Sequence, residues 1–206
     1  MGEFVLKRGL SNVVIAEVLE DTAEKFSVGT PEKLIPAGEM SKTVDSESTL
    51  YWFDNTVFAT MGREGSTEIT ISGAGLRAAA RAKINGKDVD EATGAVVDSG
   101  QFVEKYFALG AETMGHDGTK EYFWFMKGTF TTPDENDKTT DESTDANGTE
   151  LTYTAVPTTH VFASTGKVCK RVVIDTETTV LKDEQDWTAQ VVTPENLATI
   201  CEKKAA

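Results

Sequence analysis

Two tight-turn signals constrain this chain more than any other feature. Asp54-Asn55 separates Leu50 to Phe53 from Thr56 to Thr60, and Gly115-His116-Asp117-Gly118 separates Phe102 to Glu112 from Lys120 to Thr131. Asn, Asp and Gly tolerate the left-handed backbone that hairpin turns require, and the flanking segments are aromatic and β-branched. Strands joined so closely pair antiparallel, because a parallel crossover needs a dozen residues or more. Further strand segments are Asn12 to Val18, Met40 to Asp45, Thr67 to Ser72, Thr149 to Ala155, His160 to Ala163, Val168 to Ile174 and Trp187 to Val192. The expectation is a mainly β protein, an antiparallel sandwich or barrel, forming one domain over residues 1–206. Two helices interrupt it. Leu76, Ala79, Ala80 and Ile84 fall on one helical face, which Asn85-Gly86 ends. A C-terminal helix is expected over 193–204, with Thr193 as its cap and Pro194 in its first turn.

The formal net charge is −14, and both halves of the chain carry more acids than bases. A surface of that sign does not grip DNA, RNA or anionic lipid, although it leaves nucleic acid free to pass. The densest run, Asp134 to Glu150, reads as a solvated loop. The longest apolar stretches, Val13 to Ala16 and Tyr122 to Met126, are far too short to span a membrane. No signal-peptide pattern opens the chain, and Cys169 and Cys201 are the only cysteines, so a protein made in a reducing cytosol is expected.

Motifs for chemistry are thin. Gly73-Ala74-Gly75-Leu76-Arg77-Ala78 matches a dinucleotide fingerprint, but no βαβ alternation follows, so a flexible strand-to-helix turn is the better reading. His116, His160 and Cys169 have no spacing that demands a catalytic pair. Asp134, Asn136 and Asp137 cluster without the glycine and terminal glutamate of a calcium loop. No catalytic residue, cofactor or metal is expected. Tyr51-Trp52-Phe53 with Phe58, and Tyr122-Phe123-Trp124-Phe125, put large rings on both faces of a strand. Either both faces are covered within the domain or a partner covers one of them.

From Gly9 to Val18 the sequence GLSNVVIAEV resembles the start of major tail proteins of long-tailed, non-contractile phages. Gly29-Thr30-Pro31-Glu32-Lys33-Leu34, Glu47-Ser48-Thr49-Leu50-Tyr51, Glu68-Ile69-Thr70-Ile71, Ala108-Leu109-Gly110 and Lys127-Gly128-Thr129-Phe130 follow in the family's order over residues 9–160. Trp52 and Phe53 depart from the pattern, and residues 160–206 carry little of it. The resemblance implies a structural protein of the siphophage virion tail, not an enzyme, assembled in the host cytoplasm. It implies a β-sandwich tail tube fold whose subunits form hexameric rings, joined through their inner sheets and stacked into a tube. An N-terminal arm over 1–12 and loops would bridge the rings. The implied partners are further copies of the chain, a tape measure protein, baseplate and tail terminator proteins, and double-stranded DNA in transit during genome ejection. No membrane is implied. Within that picture Val13, Val14, Ile15, Tyr51, Trp52, Phe53 and Phe58 are the expected subunit or ring contacts, and Asp45, Glu47 and Glu68 the expected lumen-facing acids. The alternative is a monomeric β-sandwich that recognises carbohydrate or protein through Tyr51-Trp52-Phe53.

Overall fold

Asp54 and Asn55 both adopt left-handed φ values, 48° and 61°, and the hairpin they close is the longest element of the fold. The computed structural model describes residues 4–90, 92–101, 103–131, 148–182 and 186–204. The acids from Asp134 to Asp145, and with them the cluster weighed for calcium, lie outside the described residues.

In chain order the elements are β1 (Lys7–Asp21), β2 (Phe26–Val28), β3 (Glu32–Lys33), β4 (Ala37–Phe53), β5 (Thr56–Ala74), α1 (Ala78–Ile84), β6 (Asp88–Val89) and β7 (Val96–Val97). They continue with β8 (Phe107–Gly115), β9 (Lys120–Phe130), β10 (Gly148–Val156), β11 (Arg171–Asp175), β12 (Thr179–Leu181), α2 (Leu197–Ile200) and β13 (Cys201–Lys203). The main sheet runs β2-β1-β8-β9-β10-β5-β4, with β3 added to β1 and β11 to β9. All its pairings are antiparallel, as the short turns require.

The sheet forks at β9. Residues Glu121 to Phe125 pair with β11, whereas Lys127 to Phe130 pair with β10. The leaf β10-β5-β4 thereby folds across the front of β1-β8-β9-β11, and Ile69, Ile71, Leu151 and Tyr153 pack against Val13, Ile15, Leu109, Phe123 and Phe125. This is a sandwich, not a closed barrel. Residues 187–201 cover the back, where Trp187, Val191, Val192 and Ile200 meet Val14, Ala108, Tyr122, Trp124 and Met126. Strands β1, β8 and β9 are therefore covered on both faces, which explains their unbroken apolar runs. The Trp124 indole donates to the Trp187 carbonyl at 3.2 Å and the Tyr153 hydroxyl to the Phe107 carbonyl at 2.7 Å.

This layering corrects several expectations. Val13, Val14 and Ile15 are buried core residues, with Val13 and Ile15 facing the front core and Val14 the back. Most of their apolar surface is covered within the chain. Residues from Lys7 onward pair with β8 and do not form a free arm. The C-terminal helix is a single turn, Leu197–Ile200. Thr193 and Asn196 hydrogen-bond reciprocally in the turn before it, and Cys201 then extends to pair with Leu181. Trp187 to Val192 packs as irregular backbone instead of a strand. No helix among the described residues is long and apolar enough to cross a membrane.

Candidate assembly surfaces

The β4-β5 hairpin has two parts that differ in burial. Next to the body it is one-sided: Met40, Lys42, Ile69 and Ile71 face the core, while their neighbours face out. A bulge between Val44 and Ser46 marks the boundary. Beyond it, residues 46–53 and 56–64 continue as a two-stranded arm roughly 25 Å long at ~3.3 Å per residue, exposed on nearly every side chain. Trp52 is 60 % exposed and Phe58 76 %. Phe53 and Phe58 touch only edge to face, with ring centres 5.3 Å apart. A lone two-stranded ribbon is marginal in water, and a cluster of exposed rings this size marks an interaction surface.

The base of the arm is anchored. Lys170, just before β11, donates to the Glu64 carboxylate and, at 3.2 Å, to the Gly65 carbonyl. The hydrogen bond from Lys170 holds the Glu64 carboxyl below its usual range.

The outer face of the leaf has a different chemistry. Cross-strand pairing places Thr129, Thr154, Glu68 and Thr43 in one row, Thr152, Thr70 and Ser41 in the next, and Glu150, Ser72 and Glu39 in a third. These rows carry hydroxyls and carboxylates and not one ammonium or guanidinium. Of the expected lumen acids, Glu68 stands on this face, on its middle strand β5. Asp45 sits in the bulge, and Glu47 lies out on the arm opposite Arg63. The structure thus separates three acids that the sequence grouped. It places Glu39 and Glu150 on the same face as Glu68, two rows away, which sequence reasoning missed because the register of β10 on β5 was not known.

The one base at this level of the leaf, Lys42, points the other way. Its Nζ lies 3.3 Å from the centre of the Phe123 ring. Burial pushes its pKa down to about 8, with the Arg171 and Lys7 charges acting in the same direction and Glu121 opposing them. Lys42 occupies the apolar phase of the Met40-Lys42-Val44 alternation, the one sequence signal that marked it.

The model of the phage tail tube protein family matches residues 43–186, well over half of the chain. The chain belongs to that family. No curated protein matches it. The match leaves out the Gly9 to Val18 opening and takes in residues 160–186, where the sequence carried little recognisable signal. As a tail tube protein the chain is a structural component of the virion tail that assembles with copies of itself into a tube.

In this tail tube protein the groups weighed for chemistry have local partners. His116 Nδ1 accepts from the Leu6 amide at 3.3 Å, while the His160 amide donates to Asp21 at 2.9 Å. Burial pushes the Cys169 thiol up, away from the reactive thiolate. Gly73, in the dinucleotide-like motif, has the Pro36 carbonyl 2.5 Å from where a Cβ would stand, so close strand packing accounts for it.

Proposed function

We propose that this tail tube protein builds the tube of a non-contractile siphophage tail, forming hexameric rings that stack through the β4-β5 arm. The observation that carries the reading is the arm itself: Tyr51, Trp52, Phe53 and Phe58 are presented to solvent on a ribbon that the other described residues leave uncovered. An aromatic surface of this kind is stabilised by a partner, and a contact between unlike surfaces repeats indefinitely. The free edge of β4 at the end of the sheet supports joining of sheets between neighbours, which removes exposed strand edges. The hydroxyl and carboxylate face supports a lumen wall, with Glu39, Glu68 and Glu150 as its acids. Such a wall repels phosphate and lets double-stranded DNA pass without binding during ejection. Assembly then takes place in the host cytoplasm around a tape measure protein, between a baseplate and a tail terminator.

Electron microscopy of concentrated protein tests this. Wild type is expected to give rings and hollow tubes, whereas Trp52→Ser with Phe58→Ser is expected to give a folded protein that forms no tubes. Normal tubes from that variant would rule out the arm as the stacking element. A wild-type monomer with glycan affinity would favour a binding module instead.

A further inference from the structure

The two ends of β4 carry complementary features. From Ala37 to Phe53 the strand measures roughly 50 Å along its length at ~3.3 Å per residue. At the Phe53 end stand the exposed rings and, in the turn that follows, Asp54. At the Ala37 end lies a half-open groove of about 350 Å³, walled by Leu10, Val13, Leu34, Ile35 and Pro36, with Lys33 also lining it. The groove has a local cause. The β1-β8 register shifts between Ser11 and Val14, and Asn12 takes a left-handed φ of 52°, so the chain steps aside before β4 begins. Lys33 and Pro36 are exposed, while Leu34 and Ile35 beneath them belong to the core.

We propose that this groove receives the arm tip of a second copy of the chain, with its aromatic rings against Leu10, Leu34 and Ile35 and its Asp54 carboxylate beside Lys33. The inference rests on the stacking role proposed for the arm and names its receptor. A chain cannot fill its own groove, because one continuous strand holds tip and groove at opposite ends. The volume suits one or two aromatic rings, within the range of pockets that enclose small ligands. The charges are opposite in sign across the contact, negative on the tip and positive on the groove. Repetition of the contact is head-to-tail and open-ended, which is the requirement for growth along an axis.

The test uses full-length protein and follows tube growth by light scattering and electron microscopy. Lys33 is exposed, so Lys33→Glu is expected to fold normally and slow growth at least tenfold. Asp54→Lys is expected to do the same, and the double variant to recover most of the rate. As a second measurement, Lys33→Cys with Asp54→Cys in one chain is expected to yield, on oxidation of assembled protein, a ladder of intermolecularly linked dimers, trimers and longer species. Wild-type growth of the Lys33→Glu variant, with no ladder from the cysteine pair, would overturn the receptor. If Trp52→Ser with Phe58→Ser still blocked growth in that case, the arm would dock elsewhere. If that variant also grew normally, the stacking role of the arm would fall with the receptor.

Discussion

The ammonium of Lys42 sits 3.3 Å from the centre of the Phe123 ring, on the inward side of a strand that turns the hydroxyls of Ser41 and Thr43 outward on either side of it. The ring face favours the charged form, yet burial holds the pKa near 8, well below the ordinary 10.5. Unfolding restores the ordinary value, so between those two pH values the unfolded chain binds more protons than the folded one, and stability rises with pH. Below pH 8 the full penalty of burying the charge is present. The melting temperature of wild type, compared with Lys42→Met, is therefore expected to climb between about pH 8 and 10.5. The climb is expected to be absent in the variant, which already keeps the neutral, apolar contact. Parallel profiles would show that Lys42 is solvated.

Trp52 offers a direct reading of the arm. It is 60 % exposed, while Trp124 and Trp187 are buried in the back core. Fluorescence of the unassembled protein is expected to contain a red-edge component that shifts to the blue as tubes form. Trp52→Phe is expected to remove the shift without lowering the melting temperature, because the residue supports no core contact. A persistent shift in Trp52→Phe would mean that the buried indoles respond instead.

How far the fold was legible follows from these same residues. The Asp54-Asn55 and Gly115 to Gly118 turns were plain, because few residue types supply left-handed backbone. Strand character at Tyr122 to Met126 was plain too, but not its burial on both faces, which depends on residues 187–201 folding back over it. Long-range layering also hid the role of Val13 to Ile15, whose apolar run looks identical whether a neighbouring subunit or the chain's own front leaf and C-terminal segment cover it. Trp187 to Val192 read as a strand because its composition suits one, whereas Asp186 turns the chain there by accepting from the Thr188 amide and hydroxyl and from the Ala189 amide. The outward acids were legible only in part. Period-two alternation marked Glu68, whereas Glu150 and Glu39 joined it through cross-strand register, which no local pattern encodes.

The Asp21 carboxylate ties three segments together. It accepts from Lys127 at 2.7 Å, from the Thr159 amide at 2.8 Å and from the His160 amide at 2.9 Å, and its side chain is almost fully buried. Burial alone would raise its pKa, but the hydrogen bonds from Lys127, Thr159 and His160 outweigh it and leave the carboxyl below its ordinary 3.8. That stabilisation is complete above pH 3.8 and is lost as pH falls through the lowered folded value. Asp21→Asn leaves Lys127 without its counter-charge, and a loss of about 3 kcal/mol is expected in denaturant unfolding at pH 7. The gap between variant and wild type is expected to narrow in acid below the ordinary value. A difference under about 0.5 kcal/mol at neutral pH would place the pair among those worth no more than an exposed ion pair.

The outer face of the leaf makes the sharpest demand on the tube reading. Thr70 and Thr152 are directly opposed across β5 and β10 at its centre, two residues along from Glu68. Lysine at both positions keeps long-stemmed side chains on an outward sheet face, so folding and assembly are expected to survive. The electrostatics reverse locally, since two ammonium groups then stand among Glu39, Glu68 and Glu150. If the face lines a lumen, six subunits repeat the change around the bore, and phosphate that slid past a repelling wall now meets twelve attracting charges. Genome release from particles carrying Thr70→Lys with Thr152→Lys is expected to slow or stall, and to recover as added salt screens the attraction. Neutralising Glu39, Glu68 and Glu150 to Gln is expected to give the weaker form of the same defect. Unchanged release at low salt from both sets of particles would move the lumen to another face of the sandwich.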